Sequence, residues 1–407
     1  MPEMRKRAMM EIKGKVNTAL CFAKVIEDIA VEQIRRMCDY PFTEGSQIRI
    51  MPDVHAGKGC TIGTTMTIKD KAVPNVVGVD IGCGMYTVNL GKVDIDMEQM
   101  DAAAHFIPSG TDVWEGRTER FDLLELRCYR ELKDVRRLER SLGTLGGGNH
   151  FIEIDQASDG TKYLVIHSGS RNLGKQVAEH YQRLAVDLNK GKEEYFQKKD
   201  ALIAEYKATG RRKEIQAALK ELHWNSHDAT IPEDLCFVYG QYLDDYLHDV
   251  EICQQFARRS RERMAEIILG RLGLTVQDAF HTIHNYIDTE EMILRKGAIA
   301  AHEGERVLIP INMRDGSVLA IGRGNPEWNY SAPHGAGRIL SRSEAKQVLD
   351  LDEYRKEMAG VYTTSVNEKT LDEASMAYKS LSDIIDVISE SVDVIEVLKP
   401  IYNFKAS

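Results

Sequence analysis

The strongest constraint on what this chain can fold into is how widely its chemically useful residues are scattered. Five glycine-rich stretches, at 51–59, 78–84, 143–153, 165–172 and 322–338, carry histidine, cysteine, aspartate or arginine, with spacers of very unequal length between them. Glycine at such places lets backbone and ligand approach closely. The seven cysteines (Cys21, Cys38, Cys60, Cys83, Cys128, Cys236 and Cys253) are odd in number and form no CxxC pair. Neither a disulfide framework nor a zinc ribbon fits that pattern. A metal site would have to draw its ligands from distant parts of the chain.

With 407 residues the chain can bury a large core, as one large domain or as two or three. No apolar run approaches the roughly 20 residues that span a bilayer. The first 15 residues are charged and lack the apolar core of a secretory signal, so a cytoplasmic location is expected. The net charge of −10 argues against a passive nucleic-acid coat. It leaves room for a local basic groove, because phosphate contacts are short-ranged.

The patterning is that of an α+β protein without a regular βαβ period. Strands are expected at 47–51, 76–80, 85–90 and 164–167. A hairpin is expected from 306–311 and 318–321, turning at Arg314-Asp315-Gly316. Residues 182–222, rich in Lys, Glu, Ala and Gln, read as a projecting helical hairpin with Gly210 near its middle. A second long helical region is expected at 234–270. An amphipathic helix is expected at 380–398, followed by an extended tail at 400–405.

Several loops concentrate chemistry. Asp80 and Cys83 are three apart in Gly78-Val79-Asp80-Ile81-Gly82-Cys83-Gly84. There a thiolate could bridge two cations, or the cysteine is simply a small buried residue at a tight turn. Gly146-Gly147-Gly148 leaves backbone N–H groups free for an anion, with Asn149, His150 and Glu153 at its mouth. His167 ends an apolar strand before Ser168-Gly169-Ser170-Arg171, and Arg171 suits a bidentate oxyanion contact. His281 and His284 would share one face of a helix, with Glu290 following. In the 51–59 loop, Asp53, His55 and Lys58 are expected to face a common cavity. The most telling run is Pro333-His334-Gly335-Ala336-Gly337-Arg338. Its glycines clear space beside His334, Arg338 supplies positive charge, and an imidazole nitrogen can attack phosphorus to form a phosphoramidate. A histidine that only hydrogen-bonds within its loop is the alternative.

Taken in order, Pro52-Asp53-Val54-His55, Asp80 to Gly84, Leu145 to Phe151, His167 to Arg171, His284-Asn285 and His334 to Arg338 resemble the RtcB family of RNA ligases. The resemblance runs from about Arg49 to the C-terminal tail. It implies one α+β domain over 1–407, with mixed sheets around a di-metal cleft and a helical insertion at about 182–226. It implies two Mn²⁺ ions per chain. Cys83 would bridge them, Asp80 and His150 would complete one shell, and His167 and His284 the other. His334 would carry guanylate from GTP, beside an active-site Asp53. Asn149, Glu153, Gly335, Ala336 and Gly337 match guanylate-site positions, Tyr378 and Lys405 base-recognition positions, and Arg171 a residue that meets RNA phosphate.

The implied reaction opens a 2′,3′-cyclic phosphate to a 3′-phosphate, activates that end as RNA-ppG, and joins it to a 5′-hydroxyl. An archease-like activator is a partner that the resemblance admits, and tRNA halves and nuclease-cut RNA both fit as substrates. Arg136-Arg137, Arg211-Arg212-Lys213 and Arg258-Arg259-Ser260-Arg261 are candidate RNA-facing patches. The chain departs from the common family pattern at 327–333, at Ser375-Met376 and at its end, Phe404-Lys405-Ala406, as a divergent subgroup would. Two other classes compete with a ligase. A di-metal phosphohydrolase could use the same ligands but has no need of His334 in its loop. A non-catalytic RNA-end binder has no need to keep the metal ligands.

Overall fold

A computed structural model describes residues 9–222 and 230–405. Residues 223–226 of the expected helical insertion, and Ala406, lie outside that range. The fold is α+β, organised on a twelve-stranded mixed sheet. In spatial order its strands are Met10–Lys13, Thr18–Cys21, Ile48–His55, Ile62–Thr67, Ile293–Lys296, Asp278–Asp288, Cys83–Gly91, Lys162–Ser168, Phe151–Gln156, Val392–Lys405, Gly316–Gly322 and Arg306–Asn312. Every neighbouring pair is antiparallel except Thr18–Cys21 with Ile48–His55. The 32-residue helix Gln241–Leu272 packs across the central strands. Its Met264 and Ile268 meet Val88, Leu164 and Ile166 in one apolar cluster. Covered in this way, Leu164 to Ile166 is a continuous apolar run, as a strand buried on both faces requires.

The expected strands at 47–51, 85–90 and 164–167 and the 306–321 hairpin are present. Residues 76–80 are not a strand. Pro74 opens a single helical turn, Pro74–Val77, and Gly78, at φ +102°, ends it before the Asp80 loop. Here the fixed φ of proline at the first helical position outweighs the β-propensity of the valines. In the 234–270 region the helix begins only at Gln241, after a short strand Val238–Tyr239.

The largest correction is at 380–398. The helix stops at Ile388, and Val392–Lys405 is one 14-residue strand. Val392, Val394, Ile395 and Val397 fill it with β-branched side chains, and it has hydrogen-bonded partners on both edges. The 400–405 tail is thus part of the sheet, and its register places Asn403 opposite Glu153 and Lys405 opposite Phe151.

The helical hairpin is present, but its first helix belongs to the body. Arg171–Asn189 buries Leu173, Val177, Tyr181 and Ala185, whereas Glu193–Ala208 buries no residue fully. The projecting part therefore begins near 193 instead of 182. Among the described residues, no helix is long and apolar enough to cross a membrane.

Candidate active site

Strand ends and glycine loops converge on a cavity of about 300 Å³. At its floor Cys83, the first residue of its strand, is nearly buried. Its Sγ lies 3.4 Å from His150 Nε2 and 3.3 Å from His167 Nε2. His167 Nε2 is 3.3 Å from His284 Nε2, and His150 Nε2 is 3.0 Å from Asp80 Oδ2. The strands fix these positions: Met85 lies opposite His167, and His167 opposite Phe151. Beside them, Gly169 packs so closely on the Asp80 carboxylate that no Cβ would fit.

Hydrogen bonds at the far side of two rings set their tautomers. His150 Nδ1 meets Leu145 O at 2.8 Å, and His167 Nδ1 meets Asn149 O at 3.1 Å. A carbonyl can only accept, so each Nδ1 donates and each Nε2 is left with a lone pair. Those lone pairs face a sulfur, a carboxylate and a third imidazole. Asp80 Oδ1 and His284 Nδ1 are buried with no hydrogen-bond partner. Burial and the neighbouring histidines hold His167 well below its ordinary value, and burial and His334 do the same for His284. Burial and Asp80 push the Cys83 thiol well up. Asp80 stays low despite burial, through His150 and Arg171.

His334 stands at the wall of the cavity, its ring centroid 5.0 Å from that of His284. Its Nδ1 is 2.7 Å from Asp53 Oδ2, and its backbone N–H donates to the same oxygen at 3.2 Å. Asp53 is fully buried. Gly337, at φ +75°, lies against it, and a Cβ there would come within 2.7 Å of the Asp53 carbonyl. His55 lines the cavity as expected. Asp53 does not: it sits beneath His334. Lys58 is exposed and is not among the lining residues.

The far end of the cavity is polar and buried. Glu153 accepts from Asn403 Nδ2 at 2.5 Å. Burial pushes Glu153 and its same-face neighbour Asp155 upward, which fits a proton shared between the two carboxyls. Lys405 Nζ contacts Glu373 Oε2, which also accepts from Tyr378 Oη at 2.8 Å. Arg342 Nη1 is 2.6 Å from Glu373 Oε1. The loop residues Asn149, Gly335, Ala336 and Gly337 also line the cavity.

The family model described as "tRNA-splicing ligase RtcB" matches residues 33–127 and 118–406. The chain is 30% identical to the RNA-splicing ligase RtcB of Escherichia coli K12, over 92% of this chain and 94% of that protein. It is 26% identical to the tRNA-splicing ligase RtcB of Aeropyrum pernix, over 83% of each. It is 25% identical to the RNA-splicing ligase RtcB2 of E. coli ATCC 25922, over 94% and 93%. The chain belongs to the RtcB family.

In this RtcB chain the atypical segment before His334 has its own support. Trp328 stacks on Phe22 at 4.1 Å between ring centroids. The fully buried Arg295 donates to Ser331 Oγ at 2.8 Å and to Asn329 O at 3.2 Å. His281 and His284 lie on a strand, Asp278–Asp288, and not on a helix. Only His284 joins the cluster. His281 stacks on Tyr86 and bonds Glu262 at 3.1 Å. Glu290 is exposed and stands apart. Arg171 is in a left-handed conformation, φ +59°, with Nη2 donating to Gly110 O at 2.8 Å and Nε to Thr144 Oγ1 at 3.2 Å.

Of the three basic runs, 258–261 is no patch. Arg259 is paired with Glu119 and Glu266, and Arg261 is fully buried. Arg261 Nη1 donates to Gly82 O and Ser168 O, both at 2.7 Å, so one guanidinium ties together the residue before Cys83 and the residue after His167. A run of arginines gives no sign of this, because a surface face reads the same. Replacing Arg261 by Met leaves two buried carbonyls unpaired. A loss of about 2–4 kcal/mol is expected by chemical denaturation.

Proposed function

We propose that this protein is a GTP- and manganese-dependent RNA ligase. It would join 2′,3′-cyclic phosphate or 3′-phosphate ends to 5′-hydroxyl ends through a guanylate on His334. The observation that carries this reading is His334 itself. A buried carboxylate takes its Nδ1–H, which leaves the Nε2 lone pair as the nucleophile, in a cavity shared with the Cys83 cluster.

The donor set suits a divalent pair. The one S–H of Cys83 can serve only one of the two imidazoles it meets, and lone pairs facing a carboxylate or another lone pair repel unless a cation lies between them. Asp80, Cys83 and His150 would hold one Mn²⁺, and Cys83, His167 and His284 the other. Bound there, the ions would polarise phosphate and offset its negative charge.

His334 Nε2 forms a bond to the α-phosphorus of GTP as the bond to pyrophosphate breaks, and Asp53 stabilises the imidazolium side of the transition state. Where the RNA ends in a 2′,3′-cyclic phosphate, water first adds to phosphorus as the bond to O2′ breaks, leaving a 3′-phosphate. An oxygen of that phosphate then takes the guanylate as the bond to His334 Nε2 breaks. The 5′-hydroxyl attacks the activated end and GMP leaves. Gly335 to Gly337 and Asn149 line the cavity, and their backbone N–H groups would hold phosphate oxygens. Glu153, Tyr378 and Lys405 form the base end. Two donors of Arg171 are engaged within the protein, so a contact to RNA phosphate would use the remaining edge of its guanidinium.

The test is sealing of an RNA ending in a 2′,3′-cyclic phosphate to a 5′-hydroxyl RNA, with GTP and Mn²⁺. A joined product is expected. Opening of the cyclic phosphate without joining would favour a phosphohydrolase, and binding with neither would favour an end binder.

A further inference from the structure

We propose that Glu373 is a positioning residue for nucleotide selection: its carboxylate holds the Lys405 ammonium and the Tyr378 hydroxyl, keeping Glu153 free to accept N–H donors of the base. This rests on the nucleotide-binding reading above. Nothing in the local sequence Leu371-Asp372-Glu373-Ala374 singles Glu373 out, and the inference comes from its surroundings.

Glu373 is 3% exposed at the end of the short helix Glu368–Glu373, on the cavity wall. Its Oε2 receives the Lys405 ammonium and the Tyr378 hydroxyl. Its Oε1 lies 2.6 Å from Arg342 Nη1 and 3.6 Å from Arg338 Nη1. Arg338 Nη1 in turn donates to Tyr378 Oη at 2.9 Å. Three cations and a phenol thus converge on one buried carboxylate. Lys405 and Arg342 hold that carboxylate at about 2 against the opposing effect of burial, so it stays charged throughout the neutral range.

Lys405 is itself 6% exposed and stands on the last strand, opposite Phe151 and so diagonal to Glu153 on the same face of the paired strand. A buried ammonium must pair with a carboxylate, and besides Asp80 of the cysteine cluster the cavity offers Glu153 and Glu373. If it paired with Glu153, it would occupy the acceptor that would otherwise take base N–H groups. Glu373 competes for that ammonium and holds it: Lys405 Nζ contacts Glu373 Oε2. Glu153 is then left to the neutral amide of Asn403 at 2.5 Å and to the proton it shares with Asp155, with no ion pair to the ammonium. The arrangement favours a base with N–H donors for Glu153 and a carbonyl for Lys405, which describes a 2-amino-6-oxopurine.

The experiment measures kcat and KM for covalent labelling of the full chain with GTP and with ITP, which lacks the 2-amino donor. The variants are Glu373→Gln, Lys405→Met and the double variant. Glu373→Gln is expected to raise KM for GTP about tenfold with kcat changed far less, and to narrow the preference for GTP over ITP. Lys405→Met is expected to raise KM for both nucleotides and keep the preference. The double variant is expected to be no worse than the worse single one, as for residues acting as a unit. An unchanged KM in Glu373→Gln, an equal loss for both nucleotides, or fully independent effects in the double variant would overturn the inference. Should Glu373→Gln melt below the assay temperature, Glu373→Asp carries the same expectation, because it moves the charge one methylene back. An unlabelled wild type would remove the nucleotide reading itself, and a labelled wild type with an indifferent Glu373 removes only this inference.

Discussion

Asparagine at position 53 is expected to leave the chain folded and to lower guanylate transfer by about three orders of magnitude. The carboxylate receives both the ring Nδ1 and the backbone N–H of His334. An amide can turn its NH₂ toward Nδ1, which moves the ring proton to Nε2 and removes the attacking lone pair. It also withdraws the negative charge that stabilises an imidazolium. The check is the single-turnover labelling rate of Asp53→Asn beside wild type, with far-ultraviolet circular dichroism to confirm the fold. A rate within threefold of wild type would mean that Asp53 does not set the tautomer.

Cys83→Ala is the second large effect expected. Removing the thiol takes away the one atom that lies near both His150 and His167. Manganese affinity should fall by about 10²-fold or more, since even outer-sphere partners are worth 10–100-fold. Ligation should vanish with it. Titration calorimetry with Mn²⁺ and metal analysis after dialysis give the answer. Undiminished metal content would place the metal elsewhere, and among the described residues the Asp288, Glu291 and His302 group is a second set of ligand-type side chains close enough to examine. Retained binding in a His281→Ala variant should accompany the loss, because His281 faces Glu262 and Tyr86.

Much of the site could be read from residue types, because glycine loops with polar residues at strand ends leave a local trace. Asp80, Cys83, His150, His167 and His334 each stand in such a stretch, their grouping with His284 was implied by the family resemblance, and the structure brings them together. What failed was the reading of period and environment. His281 and His284 look alike at helical spacing, and only the strand, on which residues three apart point to opposite faces, separates them. The segment after Ile388 carries apolar residues that suit either a helix or a strand. Pairing with two distant strands decides it, and no local window contains those partners. Arg261 and Glu373 were invisible for a related reason. A charged residue reads as solvated until tertiary structure supplies buried carbonyls or a ring of cations around it.

The measurement that bears most directly on the central claim is covalent labelling. Purified protein is incubated with α-³²P-GTP and Mn²⁺, denatured, and run beside His334→Ala. The account predicts a label on wild type that is labile in acid and stable in base, as a phosphoramidate is, and no label on the variant. A folded wild-type protein that takes no label with any divalent metal tested, or a label that survives in His334→Ala, would contradict it.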